Sequence, residues 1–145
     1  MNAVHRLCCV LTCLGLLGCG GAGAADLVVI VNPASGVRAM TRDEVAKVFM
    51  ARYRQLPSGA TALPMDLGPD SRERRDFYMR LVGKQLPDIN AYWARLLFSG
   101  RASPPHQVAN SAAAIDAVAE NKGAIAYIDK REVDARVRVV LELGD

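Results

Sequence analysis

Five consecutive apolar residues, Leu27-Val28-Val29-Ile30-Val31, constrain this chain more than any other segment. A strand with one wet face alternates polar and apolar residues. An uninterrupted apolar run must be covered on both faces, which describes an internal strand with helices on either side. Asn32-Pro33-Ala34-Ser35-Gly36 ends the run with turn chemistry. Strand and helix patterns then alternate. Thr41-Arg42-Asp43-Glu44 is a capping box, and Val45, Val48 and Phe49 fall on one face of the helix it starts. Residues 61–66 read as a second strand. Pro69-Asp70-Ser71 opens a helix that buries Phe77, Tyr78, Leu81 and Val82. Pro87-Asp88 opens the next, with Ile89, Tyr92, Trp93, Leu96 and Leu97 as its apolar stripe and Gly100 as its stop. Residues 101–107, stiffened by Pro104-Pro105, read as a loop. Asn110-Ser111 caps an Ala-rich helix running to Glu120, which Gly123 ends, and residues 124–128 and 137–143 read as the last strands. The alternation predicts an α/β domain over residues 26–145, with a mixed β-sheet flanked by helices.

The first 25 residues read differently. His5 and Arg6 precede an apolar run over residues 7–17, the length of a signal-peptide core and too short to span a bilayer. Two processing routes fit. Ala22-Gly23-Ala24 is a small-x-small cleavage site that releases a chain beginning at Ala25. Leu16-Leu17-Gly18-Cys19 resembles a bacterial lipobox, in which Cys19 becomes the lipidated first residue. Either route predicts export, to the periplasm or to a lipid-anchored place in the envelope, with membrane contact only through that anchor. All four cysteines (Cys8, Cys9, Cys13 and Cys19) lie in the leader, so the body has no disulfide, thiolate nucleophile or cysteine-ligated metal.

The chain carries +3 over 145 residues, and only Arg6 of its basic residues precedes Asp26, so the body carries +2. That balance argues against a nucleic-acid partner, which needs clustered basic surface. His106 is the only histidine of the body and reads as an exposed loop residue, and no spacing supplies convergent metal ligands. No nucleophile signature surrounds His106, and Tyr92-Trp93 read as core. No enzyme, metal or cofactor is expected. The turn at residues 32–36 resembles the opening of diacylglycerol-kinase-like lipid kinases, but their Gly-Gly-Asp-Gly-Thr segment is missing. The remaining candidate is the helix start at Asp70-Ser71. A helix N-terminus directs unsatisfied N–H groups and partial positive charge outward, Ser71 adds a hydroxyl, and Arg72, Arg74 and Arg75 add charge. The alternative is that Asp70 or Ser71 only caps the helix and the arginines are solvated.

Taken in order, the segments resemble the phosphate-binding, periplasmic substrate-binding proteins of ABC importers, and more closely their short, exported, single-lobe relatives. The resemblance rests on the strand–Asn–Pro opening at residues 27–33, on Met40-Thr41-Arg42-Asp43-Glu44-Val45-Ala46-Lys47-Val48-Phe49, on Tyr92-Trp93 with Phe98-Ser99-Gly100, and on Gly123-Ala124-Ile125-Ala126-Tyr127-Ile128. The family's oxyanion segment is an arginine, three residues, then Ser-Gly-Thr before a helix. It places Ser71 on the serine, Arg72 on the glycine and Glu73 on the threonine, with Asp66 one residue ahead of the arginine position. The resemblance implies a single periplasmic-binding-protein-like lobe that holds phosphate or a similar oxyanion at Ser71. Arg72 and Arg74 would then supply charge, and Ser35 and Gly36 further donors. An importer permease or another envelope protein is the implied partner. The alternative is an envelope interaction module that has lost ligand capture, which the carboxylates Asp66 and Glu73 favour.

Overall fold

A computed structural model describes residues 25–144. The processing sites expected in the leader, Cys19 included, lie outside the described residues. The apolar run forms β1 (Leu27–Val31), buried at every position. It is followed by α1 (Arg42–Phe49), β2 (Leu63–Asp66), α2 (Arg72–Val82), α3 (Leu86–Phe98), β3 (His106–Gln107), α4 (Ser111–Glu120), β4 (Ala124–Asp129) and β5 (Arg138–Leu143). The five strands form one mixed sheet in the order β3-β2-β4-β1-β5. β2 runs parallel to both β3 and β4, whereas β1 runs antiparallel to β4 and β5.

Helix starts follow the local chemistry. Thr41 and Glu44 complete the expected capping box, and Ser71 and Asn110 cap α2 and α4 through their side-chain oxygens. The connection from β2 through α2 and α3 steps outward to β3, and the connection through α4 steps back past β2 to β4. Right-handed crossovers in opposite senses put α2 and α3 on one face and α4 on the other. On the first face, the Tyr127 ring stacks on Phe77 at 3.7 Å, and Phe49 meets Phe77 edge-on at 4.8 Å. Asn32, just beyond β1, donates through Nδ2 to the carbonyls of Val118 and Ala119, tying the end of α4 to the β1 turn.

Both outer strands are poor templates for further pairing. β3 is two residues long. β5 carries a register shift opposite Val29 and Ile30, and Val140 O accepts from Met40 N at 2.9 Å. Arg80 Nη1 donates to Leu143 O and Ala25 O, both at 3.0 Å.

Four expectations need correction. The second strand begins at Leu63, because Thr61 forms only an isolated bridge with Gln55. Residues 106–107 are a strand and not part of the loop, paired with Met65 and Asp66, although His106 is exposed as expected. Leu97 is no part of the buried stripe of α3: it is 58% exposed and Phe98 is 94% exposed. Gly123 does not end α4, which stops at Asn121. It serves close approach instead, since a Cβ there would lie 2.1 Å from Thr61 O.

Candidate functional site

Asp66 ends β2 with its side chain buried. Its Oδ2 accepts from Arg74 Nε at 2.9 Å and from Tyr78 Oη at 3.1 Å, and its Oδ1 accepts from Tyr127 Oη. Arg74 also donates to Pro69 O at 3.1 Å and to Asn90 Oδ1 at 3.3 Å, while Tyr127 Oη accepts from Leu67 N at 3.2 Å. A buried carboxylate and guanidinium thus neutralise each other and hold the backbone between β2 and α2. Burial alone would lower the pKa of Arg74, but the bonds and charge of Asp66 raise it. Burial and the adjacent Asp66 charge push both tyrosine hydroxyls far up.

The loop held in this way reaches the point where the chain changes face. β2 and β3 are adjacent and parallel, and from their carboxyl ends the chain departs to opposite sides, into α2 and α4. That topology opens a crevice at the strand ends, the usual ligand position in open α/β sheets. A cavity of about 580 Å³ occupies it, lined by Gly68 and Ser71 from the first loop and by Asn110 and Ser111 from the second. The N-termini of α2 and α4 both border it. Ser71 Oγ accepts from Arg74 N at 3.2 Å and Asn110 Oδ1 from Ala113 N at 2.9 Å. These caps leave the N–H groups of Glu73, and of Ser111 and Ala112, without an intrahelical acceptor.

Charge around the cavity is mixed. Glu73, Glu132, Asp134 and Arg136 also line it. Arg136 pairs with Asp116 at 2.7 Å and Asp134 at 2.9 Å. Bonds from the Arg136 guanidinium hold the Asp134 carboxyl below its ordinary pKa, and bonds to Asp134 and then Asp116 raise that of Arg136.

Of the residues singled out in the sequence, Ser71 lines this cavity and also caps its helix. Arg74 does not face the cavity, because its guanidinium is turned inward onto Asp66. Arg72 is exposed, with Nε 3.7 Å from Asp76, and does not line the cavity. Ser35 and Gly36 lie at the opposite end of the sheet. β1 runs antiparallel to β4, so Val31, opposite Ile125, ends beside the start of β2, whereas Asp66 marks its finish. Ser35 is buried and its Oγ accepts from Val37 N at 3.2 Å, while Gly36 takes the left-handed φ of 80° that closes the turn. The sequence reading missed Asn110, Ser111 and Arg136 as cavity residues. Asn110-Ser111 was legible only as a cap, and a two-residue strand before it leaves no hydrophobic signal of a switch in chain direction.

No family model and no curated protein matches the sequence. Solved structures do. The chain is similar to an ABC-type phosphate transport receptor from Vibrio cholerae, at 15% identity and a TM-score of 0.63, over 80% of this chain and 45% of that one. It is likewise similar to PstS from Borrelia burgdorferi, at 12% identity and a TM-score of 0.56, over 80% of this chain and 46% of that one. The chain spans less than half the length of these structures and shares their fold over that span, a mixed α/β lobe of the periplasmic-binding-protein type.

Proposed function

We propose that the chain is an exported, non-enzymatic solute-binding protein of the cell envelope. It takes phosphate or a similar small oxyanion without covalent chemistry, in the manner of the binding component of an ABC importer. The observation that carries this reading is the convergence of two helix N-termini on one cavity at a topological switch point, in a fold shared with phosphate transport receptors. The N–H of Glu73 on one side, and those of Ser111 and Ala112 on the other, are the donors. Ser71 Oγ accepts from the backbone and keeps its own proton to donate. Arg136 is the cation on the rim, reached in competition with Asp134 and Asp116. Arg74 supports the site from behind, and exposed Arg72 adds only to the surrounding field.

Magnitude sets the mode of binding. Each exposed helix terminus contributes about 0.3–1 kcal/mol toward an anion, whereas micromolar affinity needs about 8.2 kcal/mol. The lobe alone therefore holds an oxyanion weakly, and a partner surface that covers the cavity tightens it. Calorimetric titration with phosphate and sulfate tests this reading. The expected result is weak, saturable heat that falls about tenfold in affinity, or about 1.4 kcal/mol, in Ser71→Ala. No heat at millimolar ligand, or an unchanged isotherm in the variant, would remove the cavity from consideration.

The carboxylates of Glu73, Glu132 and Asp134 on the rim, and the loss of the arginine that the resembled family carries in this segment, favour a second reading. In it the lobe has given up the anion and docks an envelope protein. Recovery of one partner from envelope extract, together with a flat titration, supports that reading over the first.

A further inference from the structure

The chain has no acidic residue in residues 45–65 or in residues 89–115. The fold lays these two stretches side by side. Tyr92 Oη donates to Met50 O at 2.7 Å, and Arg54 Nη2 donates to Arg101 O at 3.3 Å. Tyr53, Arg54, Leu63, Leu97 and Arg101 line one groove between them, and no carboxylate lines it. Arg52, Arg54, Arg95 and Arg101 are all exposed, Arg54 and Arg101 on this groove and Arg52 and Arg95 on the one beside it. Asp43 and Asp88 line the adjoining groove beside Arg52 and Arg95, but Asp43 is taken by Lys47 at 2.5 Å. The face therefore keeps a net positive charge that the whole-chain balance conceals.

The same face carries the largest exposed apolar side chains of the described residues. Phe98 is 94% exposed, Leu97 58% and Tyr53 51%. Phe98 is the last residue of α3. Ser99 and Gly100, the latter at a φ of 67°, turn the chain away and leave the ring with nothing to pack against. Water contact by a whole phenyl ring costs free energy with no return inside the lobe, and such exposure rimmed by charge marks a contact surface.

We propose that this face docks on an anionic phospholipid surface, with Leu97 and Phe98 entering the acyl boundary and the four arginines meeting headgroup phosphates. A bilayer fits better than a folded acidic partner. Phe98 stands out from a helix end, so a rigid partner would need a matching pocket, whereas lipid deforms around it. Arginine forks match phosphate oxygens at whatever spacing a fluid surface offers. Aromatic and basic side chains together are the usual anchors at a membrane interface, and each basic residue adds attraction to anionic lipid. This contact is separate from any lipid at Cys19 and extends the membrane role beyond the anchor expected from the sequence. It does not depend on the anion cavity.

The test is cosedimentation of the purified protein with vesicles of phosphatidylcholine alone and of phosphatidylcholine mixed with phosphatidylglycerol. Binding is expected only to the mixed vesicles, weakening as salt is raised. Leu97→Ser with Phe98→Ser, and Arg95→Glu with Arg101→Glu, are each expected to weaken it about tenfold or more. All four positions are exposed, and an unchanged circular dichroism spectrum shows that each variant is folded. The variants keep the parent's leader, so the difference reports this face alone. Equal binding to both vesicle types overturns the proposal, as does binding unchanged by either pair. Failure to bind mixed vesicles overturns it too, including where an acidic protein is bound instead.

Discussion

Asp66 and Arg74 illustrate how one buried pair can set the geometry of a cavity without lining it. The carboxylate accepts from Arg74, Tyr78 and Tyr127, and these bonds hold the loop that delivers Ser71 to the cavity. Asp66→Ala leaves a buried guanidinium without its counter-charge, and is expected to cost about 3–5 kcal/mol in urea denaturation. Asp66→Ala with Arg74→Met is expected to recover much of that loss, because the desolvated charge is then gone. The two tyrosines set a pH limit. Burial and Asp66 raise both hydroxyl pKa values above 10.0 in the folded state. The folded chain therefore holds these protons more tightly than the unfolded chain. Stability from this source is complete below about pH 10 and is lost as pH rises further. Denaturation midpoints measured across that range should fall with pH, and fall less steeply in Tyr78→Phe.

At the scale of elements, local chemistry and long-range contact divide the structure between them. The capping box at Thr41, the serine cap of α2 and the asparagine cap of α4 were legible in the sequence, because each is written within four residues. β1 was legible because five buried residues in a row admit few other fates. β3 was not, since His106 and Gln107 are exposed and become a strand only through their partners Met65 and Asp66. Gly123 was misread for the same reason. Its constraint is Thr61 O, from the segment just ahead of β2, and nothing near it in sequence reports that approach. Gly123→Ala is accordingly expected to force β2 and β4 apart and to destabilise by about 1–3 kcal/mol, measured as a lowered thermal midpoint. Thr41→Ala should cost about 0.5–2 kcal/mol through its lost cap, a milder drop in the same measurement.

For the whole molecule, the α/β class and most of the element order could be read from periodicity, but the site could not. Its position follows from the order in which parallel strands pair, and its lining comes from two loops and from Asp134 and Arg136 near the end of the chain. Ser71 was legible as a helix start because that signal is local, whereas Ser35 and Gly36 were grouped with it although antiparallel β1 carries them to the far end of the sheet. The fold beyond residue 19 has no cysteine, so its denaturation midpoint is expected to be the same with and without a thiol reductant. The two rims of the sheet have a consequence for handling at high concentration. An open sheet presents borders that could seed fibrous growth, yet one border is two residues long and the other is kinked, with Val140 O and Leu143 O already engaged. Concentrated samples should accordingly stay free of thioflavin-binding fibrils, and strand-swapped oligomers should arise only after β5 has been pulled from its place.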